Sequence, residues 1–287
     1  MKRVAIAFLL LLGACGRGGE STSTPTTAPE ASAPSSTAGP ANTPRELAVT
    51  ELPAEPSGAG TCGDYEVSWS SPEVGEGDRP AELSVERDGE RVFALGGTNP
   101  TDQLIALWCG DITGDGKIEL GVEEFTAGAH CCWGIRVITL DGRETLLNRD
   151  LGNAGGPEPE QLDATQPLEI VTDSDVLAYF GDLPYAASPF LPLVFAFEGG
   201  AYKVATTDFP EYIRSSLTEA EQLLNEAIRE QTDFPEAIRG AAIGVYGHHV
   251  LLGDPDGALD DIATELSAAD AQWLRDHAAE AVDLIRS

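Results

Sequence analysis

Between Cys109 and Trp133 the chain reads CGDITGDGKIELGVEEFTAGAHCCW, gathering five acids, one histidine and three of the five cysteines of a 287-residue sequence. Counting from Asp111, oxygen-bearing side chains fall at positions 1, 3 and 5 (Asp111, Thr113, Asp115), with Gly116 at position 6 and Glu119 at position 9. Alternate side chains of a tight loop converge on one point, glycine admits the sharp turn, and Lys117 at position 7 can offer its carbonyl. That is the donor set of a hard, oxygen-seeking cation, for which calcium is the natural candidate. The competing reading is an Asp/Gly turn whose acids cap backbone N–H groups and hold no ion.

The compartment in which this loop works follows from the first residues. Lys2 and Arg3 precede an apolar run from Val4 to Leu12 that ends in Gly13-Ala14-Cys15, the pattern of a secretory signal. The run falls well short of the roughly 20 residues that span a bilayer. Leu12-Gly13-Ala14-Cys15 resembles the lipobox of bacterial lipoproteins. The resemblance implies diacylglycerol on the Cys15 sulfur, cleavage before that residue and acylation of the new amino terminus; several acyl chains together anchor a protein stably. Gly16, standing where an Asp would signal inner-membrane retention, points to the outer membrane or cell surface, hence to an extracytoplasmic, membrane-anchored lipoprotein.

With Cys15 assigned to lipid, Cys62, Cys109, Cys131 and Cys132 remain, an even number in an oxidising compartment, and two disulfides are expected. Joining the adjacent Cys131 and Cys132 would strain the backbone. Each is therefore expected to reach one of Cys62 and Cys109, in either order.

Seventeen basic residues against 48 acidic ones give a formal charge of −31, with no Lys/Arg cluster after the signal. Nucleic acid is excluded as a partner. The membrane, through the lipid anchor, and a protein or glycan are the partners left.

Other chemistry finds little footing. His130-Cys131-Cys132 contains zinc-ligand types, but neighbours in sequence seldom point at one ion, and His248-His249 falls within a helical pattern that turns the two apart. No HExxH or G-x-S-x-G occurs. Glu123-Glu124 and Asp173-x-Asp175 offer paired carboxylates, which chance supplies readily among so many acids. Trp108 and Trp133 read as core anchors.

The elements that position the loop divide the chain into residues 1–15, the signal; 16–60, a Ser/Thr/Pro/Ala tether too poor in large apolar residues to fold; 61–207, all β; and 208–287, helical. Hairpins are predicted at Asp88-Gly89, Asp141-Gly142 and Gly199-Gly200, the first two being dipeptides that type I′ turns prefer. DITGDGKIELGV and DATQPLEIV suggest a repeat that aligns Asp111 with Asp163, the second copy lacking two loop residues. About three antiparallel units fit, fewer than the four to eight blades of a closed propeller. A segregated α+β fold is expected, with a propeller-like or sandwich β domain and a helical tail.

In the tail, Ile213, Leu217, Ala220 and Leu224 share a helix face, Ser216-x-x-Glu219 reads as a capping box, Asp233 as a cap before Pro235, and Gly253-Asp254-Pro255 as a stop. A last helix over residues 268–285 carries the stripe Ala271, Leu274, Ala278, Val282 and Ile285, to be covered by a bundle or by the β part.

An EF-hand would require Glu at position 12, where this chain has Val122, and KIELGVEEF alternates as a strand. The segment instead resembles the Asp-x-Asn-x-Asp-Gly-x-x-Asp loops of the FG-GAP or VCBS repeat family, which lead directly into a strand. That resemblance implies a calcium loop on a propeller-like blade, with ligands Asp111, Thr113, Asp115, the carbonyl of Lys117, and Glu119. Thr113 in place of Asn or Asp, and Glu119 in place of Asp, depart from the pattern. GAHCCW together with YAASPFLPLVFAFEGGAYKVATTDFP is also similar to uncharacterised secreted bacterial proteins carrying one such loop. The expectation is a lipid-anchored envelope protein whose calcium-stabilised, disulfide-stapled β domain serves as a binding or structural module. The alternative is an envelope hydrolase or carbohydrate-active enzyme using acidic loop residues.

Overall fold

In the strand Tyr65–Ser70 the buried Tyr65, Val67 and Trp69 alternate with exposed Glu66, Ser68 and Ser70, the period of two that lets one face of a sheet meet a core. Similar segments recur along a computed structural model that describes residues 49–71, 80–97, 102–126, 133–164, 167–230 and 234–287. They form three antiparallel sheets. One holds β2 (Ser57–Cys62), β3 (Tyr65–Ser70), β4 (Glu82–Arg87) and β5 (Glu90–Gly96) in chain order. The second places β1 (Thr50–Glu51) beside β6 (Gln103–Gly110), followed by β7 (Glu119–Phe125), β8 (Trp133–Thr139) and β9 (Thr145–Gly152). The third runs β10 (Glu158–Glu160), β11 (Glu169–Ser174), β12 (Leu191–Glu198) and β13 (Ala201–Val204).

The second sheet shares a core with each of the others. Leu104, Ala106, Leu120 and Val122 pack with Val67, Trp69, Leu83 and Val85 of the first sheet. Trp108, Ile135 and Val137 pack with Ile170, Phe195 and Tyr202 of the third. Four helices follow: α1 (Pro210–Glu230), α2 (Pro235–Leu252), α3 (Pro255–Glu265) and α4 (Ala268–Arg286). The segregated α+β expectation is met at this level, and none of the described helices is long and apolar enough to cross a membrane.

The hairpins form where expected, but their turns differ. Asp88 and Gly89 (φ 54° and 75°) and Gly199 and Gly200 (φ 63° and 92°) have positive φ at both central residues, as type I′ requires. At Asp141-Gly142 the positive φ falls instead on Arg143 (57°), whose N–H donates to Thr139 O (2.8 Å) in a wider turn, so the expected type I′ geometry is absent. Asp141 is engaged elsewhere, accepting from Tyr65 Oη (2.6 Å) and pairing with Arg87 across to the first sheet.

The helices pack on each other and on the connection between β11 and β12, where Leu177, Phe180, Leu183 and Leu191 join Ala242, Ile243, Leu274 and Ala278 in one core. Both ways of covering the apolar stripe are realised. Residues Gly240, Gly244 and Gly247 make this close approach possible: a Cβ on Gly240 would stand 1.8 Å from the Ala187 carbonyl oxygen, and one on Gly247 would stand 2.9 Å from Leu191. The reading of Ser216-x-x-Glu219 as a capping box is overturned, because α1 begins at Pro210 and places Ser216 inside the helix. Ser216 Oγ lies 2.9 Å from Nε2 of the buried His248, whose Nδ1 reaches Gly244 O at 2.8 Å. The stop before α3 is as expected, with Gly253 at φ 82° donating to His249 O and Val250 O. Asp233 lies outside the described residues.

Candidate metal centre

Strand β6 delivers the chain into the loop at Asp111, and β7 receives it at Glu119. Trp108, 2% exposed, lies flat where a side chain on the neighbouring Gly121 would be; a Cβ there would stand 2.3 Å from the indole. The indole N–H donates to Pro157 O (3.0 Å). Beside it, Cys109 is bonded to Cys62, with 5.8 Å between their α-carbons, which links the end of β2 to β6 immediately before the loop. The expectation that Cys131 and Cys132 each take one of these partners is corrected: the two strands already present Cys62 and Cys109 to each other in a shared core. Cys15, His130, Cys131 and Cys132 lie outside the described residues.

Neighbouring strands pin the loop on both sides. Leu140 N–H donates to Ile118 O (2.8 Å), Leu168 N–H donates to Ile112 O (2.8 Å), and Ile112 itself is fully buried. Within the loop, Asp111 Oδ1 accepts from Gly114 N–H (2.8 Å) and Oδ2 from Gly116 N–H (3.0 Å), while Asp115 Oδ1 accepts from Lys117 N–H (2.9 Å). Gly114 and Gly116, at φ 78° and 88°, supply the left-handed backbone that turns these N–H groups inward. Lys117 Nζ pairs with Asp115 Oδ2 (2.9 Å) and holds that carboxyl below its usual range.

Glu119 is the unusual member. It is 1% exposed and folds under the loop, where Oε2 accepts from Ile112 N–H (3.0 Å) and Thr113 N–H (3.3 Å). Its Oε1 is buried with no partner. Burial pushes the carboxyl up to about 7; the bonds from Thr113 and Ile112 act the other way, and the charges of Asp115 and Asp111 add to the rise. Tyr202, whose hydroxyl donates to Leu168 O (3.1 Å), has its pKa raised by burial first and then by Glu119 and Glu169, so the phenol senses both carboxylates.

Glu169 opens β11 much as Glu119 opens β7. Its Oε2 accepts from Leu162 N–H (2.9 Å), seven residues upstream, the same separation as Glu119 to Ile112. The hydrogen-bond register therefore matches Ile112 with Leu162 and Thr113 with Asp163, two residues away from the alignment that sets Asp111 against Asp163. No loop residue is missing between the paired positions. Identity of Asp-x-Thr favoured the wrong alignment, whereas the Glu-to-backbone separation carries the structural one.

Thus the structure brings Asp111, Thr113, Asp115, Lys117 and Glu119 into one loop, in which the acids cap backbone N–H groups as the competing reading requires. Among the described residues no group of three or more His, Cys, Asp or Glu side chains is gathered as a metal cluster. The orphaned oxygen of Glu119 goes beyond capping and suits a cation, and each capped carboxylate oxygen keeps a lone pair for coordination. Calcium would have to displace Lys117 from Asp115, a half-exposed pair that contributes little.

The other carboxylate pairs are committed to structure. Glu123, buried and raised in pKa by that burial, accepts from Gly156 N–H (2.7 Å); Glu124 pairs with Arg136 (2.8 Å); Asp175 accepts from Asn153 N–H and Nδ2–H, both at 2.8 Å. Compared with family models, curated proteins and solved structures, the chain matches none.

Proposed function

We propose that this chain is a lipid-anchored envelope protein whose β domain is a calcium-stabilised, disulfide-stapled module for binding or support, attached through Cys15. Support for a propeller-like arrangement comes from three successive antiparallel sheets of four, five and four strands, the middle one sharing a core with each of the others. The observation that carries the calcium reading is the buried, unpartnered Oε1 of Glu119, a carboxyl whose charge is made more costly by those of Asp115 and Asp111. Side chains of Asp111, Thr113, Asp115 and Glu119 and the Lys117 carbonyl would hold the ion, which supplies positive charge where clustered carboxylates repel one another. With its entrance thus fixed, β7 keeps its place between the two cores.

Extracellular calcium modules bind with Kd of about 10⁻⁴–10⁻³ M. On that scale 10 mM calcium contributes about 1.4–2.7 kcal/mol, which for a chain of this size raises Tm by roughly 3–10 °C. The test starts from protein shown to be metal-free and follows Tm as calcium is added. Asp115→Asn should shrink the rise. An unchanged Tm at 10 mM calcium counts against the ion. Separately, Cys15→Ala should move the protein from the membrane fraction to the soluble one.

A further inference from the structure

We propose that the outer face of the first sheet binds a neutral polyhydroxylated ligand, a sugar ring, at Ser84. Ser84 lies between Leu83 and Val85, both buried in the core, so strand alternation turns its side chain to the opposite face. It is nevertheless only 8% exposed, and its Oγ is buried with no hydrogen-bond partner. An outward serine on a sheet ordinarily gives its hydroxyl to water. The register accounts for the cover: Arg91 stands opposite Glu86, yet its Nη1 reaches Glu82 Oε1 at 3.3 Å, so the side chain crosses the Ser84 row on its way. The groove at this place has a volume of about 210 Å³ and is lined by Ser68, Ser70, Glu82, Ser84, Glu86 and Arg91. Its floor is a row of small side chains that the pairing sets side by side across all four strands: Ala59, Ser68, Ser84 and Ala94.

The groups around Ser84 select the ligand. Glu82 and Glu86 flank it on β4, each about 7 Å away along the strand. Glu86 directly faces Glu66 of β3, a like-charge pairing that costs stability. A carboxylate only accepts hydrogen bonds, a guanidinium only donates, and a serine hydroxyl does both. Vicinal hydroxyls of a sugar, each at once donor and acceptor, can meet all three. The Arg91–Glu82 pair is more than half exposed on both sides and contributes little, so the guanidinium can leave Glu82 for one ligand hydroxyl and open Ser84 Oγ to another. An anion would face Glu66, Glu82 and Glu86 together. A bare cation would have to displace Arg91, and these carboxylates are not gathered as a metal cluster among the described residues. The inference gives the binding module a ligand class and rests on that reading of the β domain, but it uses no residue of the 111–119 loop.

The test is NMR titration of the full chain, with chelator present, against glucose, galactose, mannose and N-acetylglucosamine, each up to tens of millimolar, following backbone amide shifts. Saturable binding of at least one sugar is expected, with the shifts centred on Ser68, Ser84 and Arg91 and unchanged when calcium replaces the chelator. Ser84→Val favours the strand and removes a hydroxyl that bonds nothing in the free protein; it should weaken binding at least fivefold without lowering Tm. Glu86→Gln, which keeps the shape of the groove, should weaken it at least threefold. Glu219→Gln, an exposed acid of α1, should alter it less than twofold. Parental affinity in either groove variant overturns the proposal, as does the absence of saturable binding by all four sugars. Sugar binding that appears only with calcium would assign the ligand to the loop and overturns it as well. Sugar binding that persists while calcium leaves Tm unchanged would support this site and count against the ion alone.

Discussion

Glu119→Gln tests directly whether an uncompensated carboxylate lies under the loop. In the fold its carboxyl titrates near 7 instead of 4.5. At 1.36 kcal/mol per unit, that difference corresponds to a destabilisation of about 3 kcal/mol above pH 7. The sign follows from proton counting. Below about pH 4.5 the carboxyl is protonated in both states and the term vanishes. As pH rises, the unfolded chain releases its proton first, so the folded state loses stability progressively until about pH 7, beyond which the loss is constant. Glutamine can still accept from Ile112 and Thr113 N–H but has no charge to bury. Any fixed cost of its NH₂ group subtracts out when only the pH dependence of the difference is read. Urea unfolding with chelator between pH 4.5 and 8 should therefore show the variant gaining about 3 kcal/mol on the parent across that range. Other buried acids, Glu123 and Glu169 among them, are common to both proteins and cancel. Saturating calcium should reverse the ranking at pH 8, because an ion that favours the ionised carboxylate removes the parent's penalty and finds a weaker ligand in the variant. A difference independent of pH would refute the buried-charge reasoning, and equal stabilisation of both proteins by calcium would remove Glu119 from the ligand set.

Gly240→Ala should destabilise by about 1–3 kcal/mol in the same urea assay, although alanine favours a helix by about 1 kcal/mol, because its Cβ would meet the Ala187 carbonyl, a backbone group that cannot swing aside. An increase in the midpoint would show that α2 does not pack so closely against the β part. Replacing Cys62 and Cys109 together by serine should cost about 2–4 kcal/mol and weaken the calcium response, since Cys109 anchors the strand that enters the loop; a calcium-induced rise in Tm equal to the parent's would show that the staple and the loop are independent.

Local pattern made most of the elements legible. Alternation in β3, Asp88-Gly89 between β4 and β5, and Gly253-Asp254-Pro255 between α2 and α3 each depend on residues close in sequence, whose conformational preferences act without the rest of the chain. The failures are failures of distant contact. Ser216 resembles a cap until α2 brings His248 to it from 32 residues away. Asp141-Gly142 resembles a type I′ turn, but Asp141 is drawn toward Tyr65 and Arg87 of another sheet. Cysteine pairing is set by which strands stack. Nor did Gly240, Gly244 and Gly247 stand out, though their spacing along one helix is a signal of close approach that the sequence does contain. At the loop, residue types and spacing indicated which residues share the turn; that Glu119 would be buried with one oxygen unpartnered depended on Tyr202 of the third sheet and on Leu168 just before it.

The second repeat acts as an internal control on what the first is for. In both, a glutamate at the head of a strand bends back to accept the N–H of the residue seven positions before it. Glu169 does so with Asp163 nearby, and neither of its oxygens is a buried orphan among the described residues. Glu119 makes the same bond but is flanked by Asp111 and Asp115 and keeps Oε1 buried without a donor. Capping accounts for everything the two loops share. The first adds Asp111 and Asp115, which cap the N–H groups of Gly114, Gly116 and Lys117 and at the same time raise the cost of ionising the buried Glu119. Charge of one sign concentrated at a desolvated oxygen is unfavourable in isolation and becomes favourable when a cation is present. The orphaned Oε1 of Glu119 is therefore the one feature of the first loop that the proposed ion would account for and capping does not.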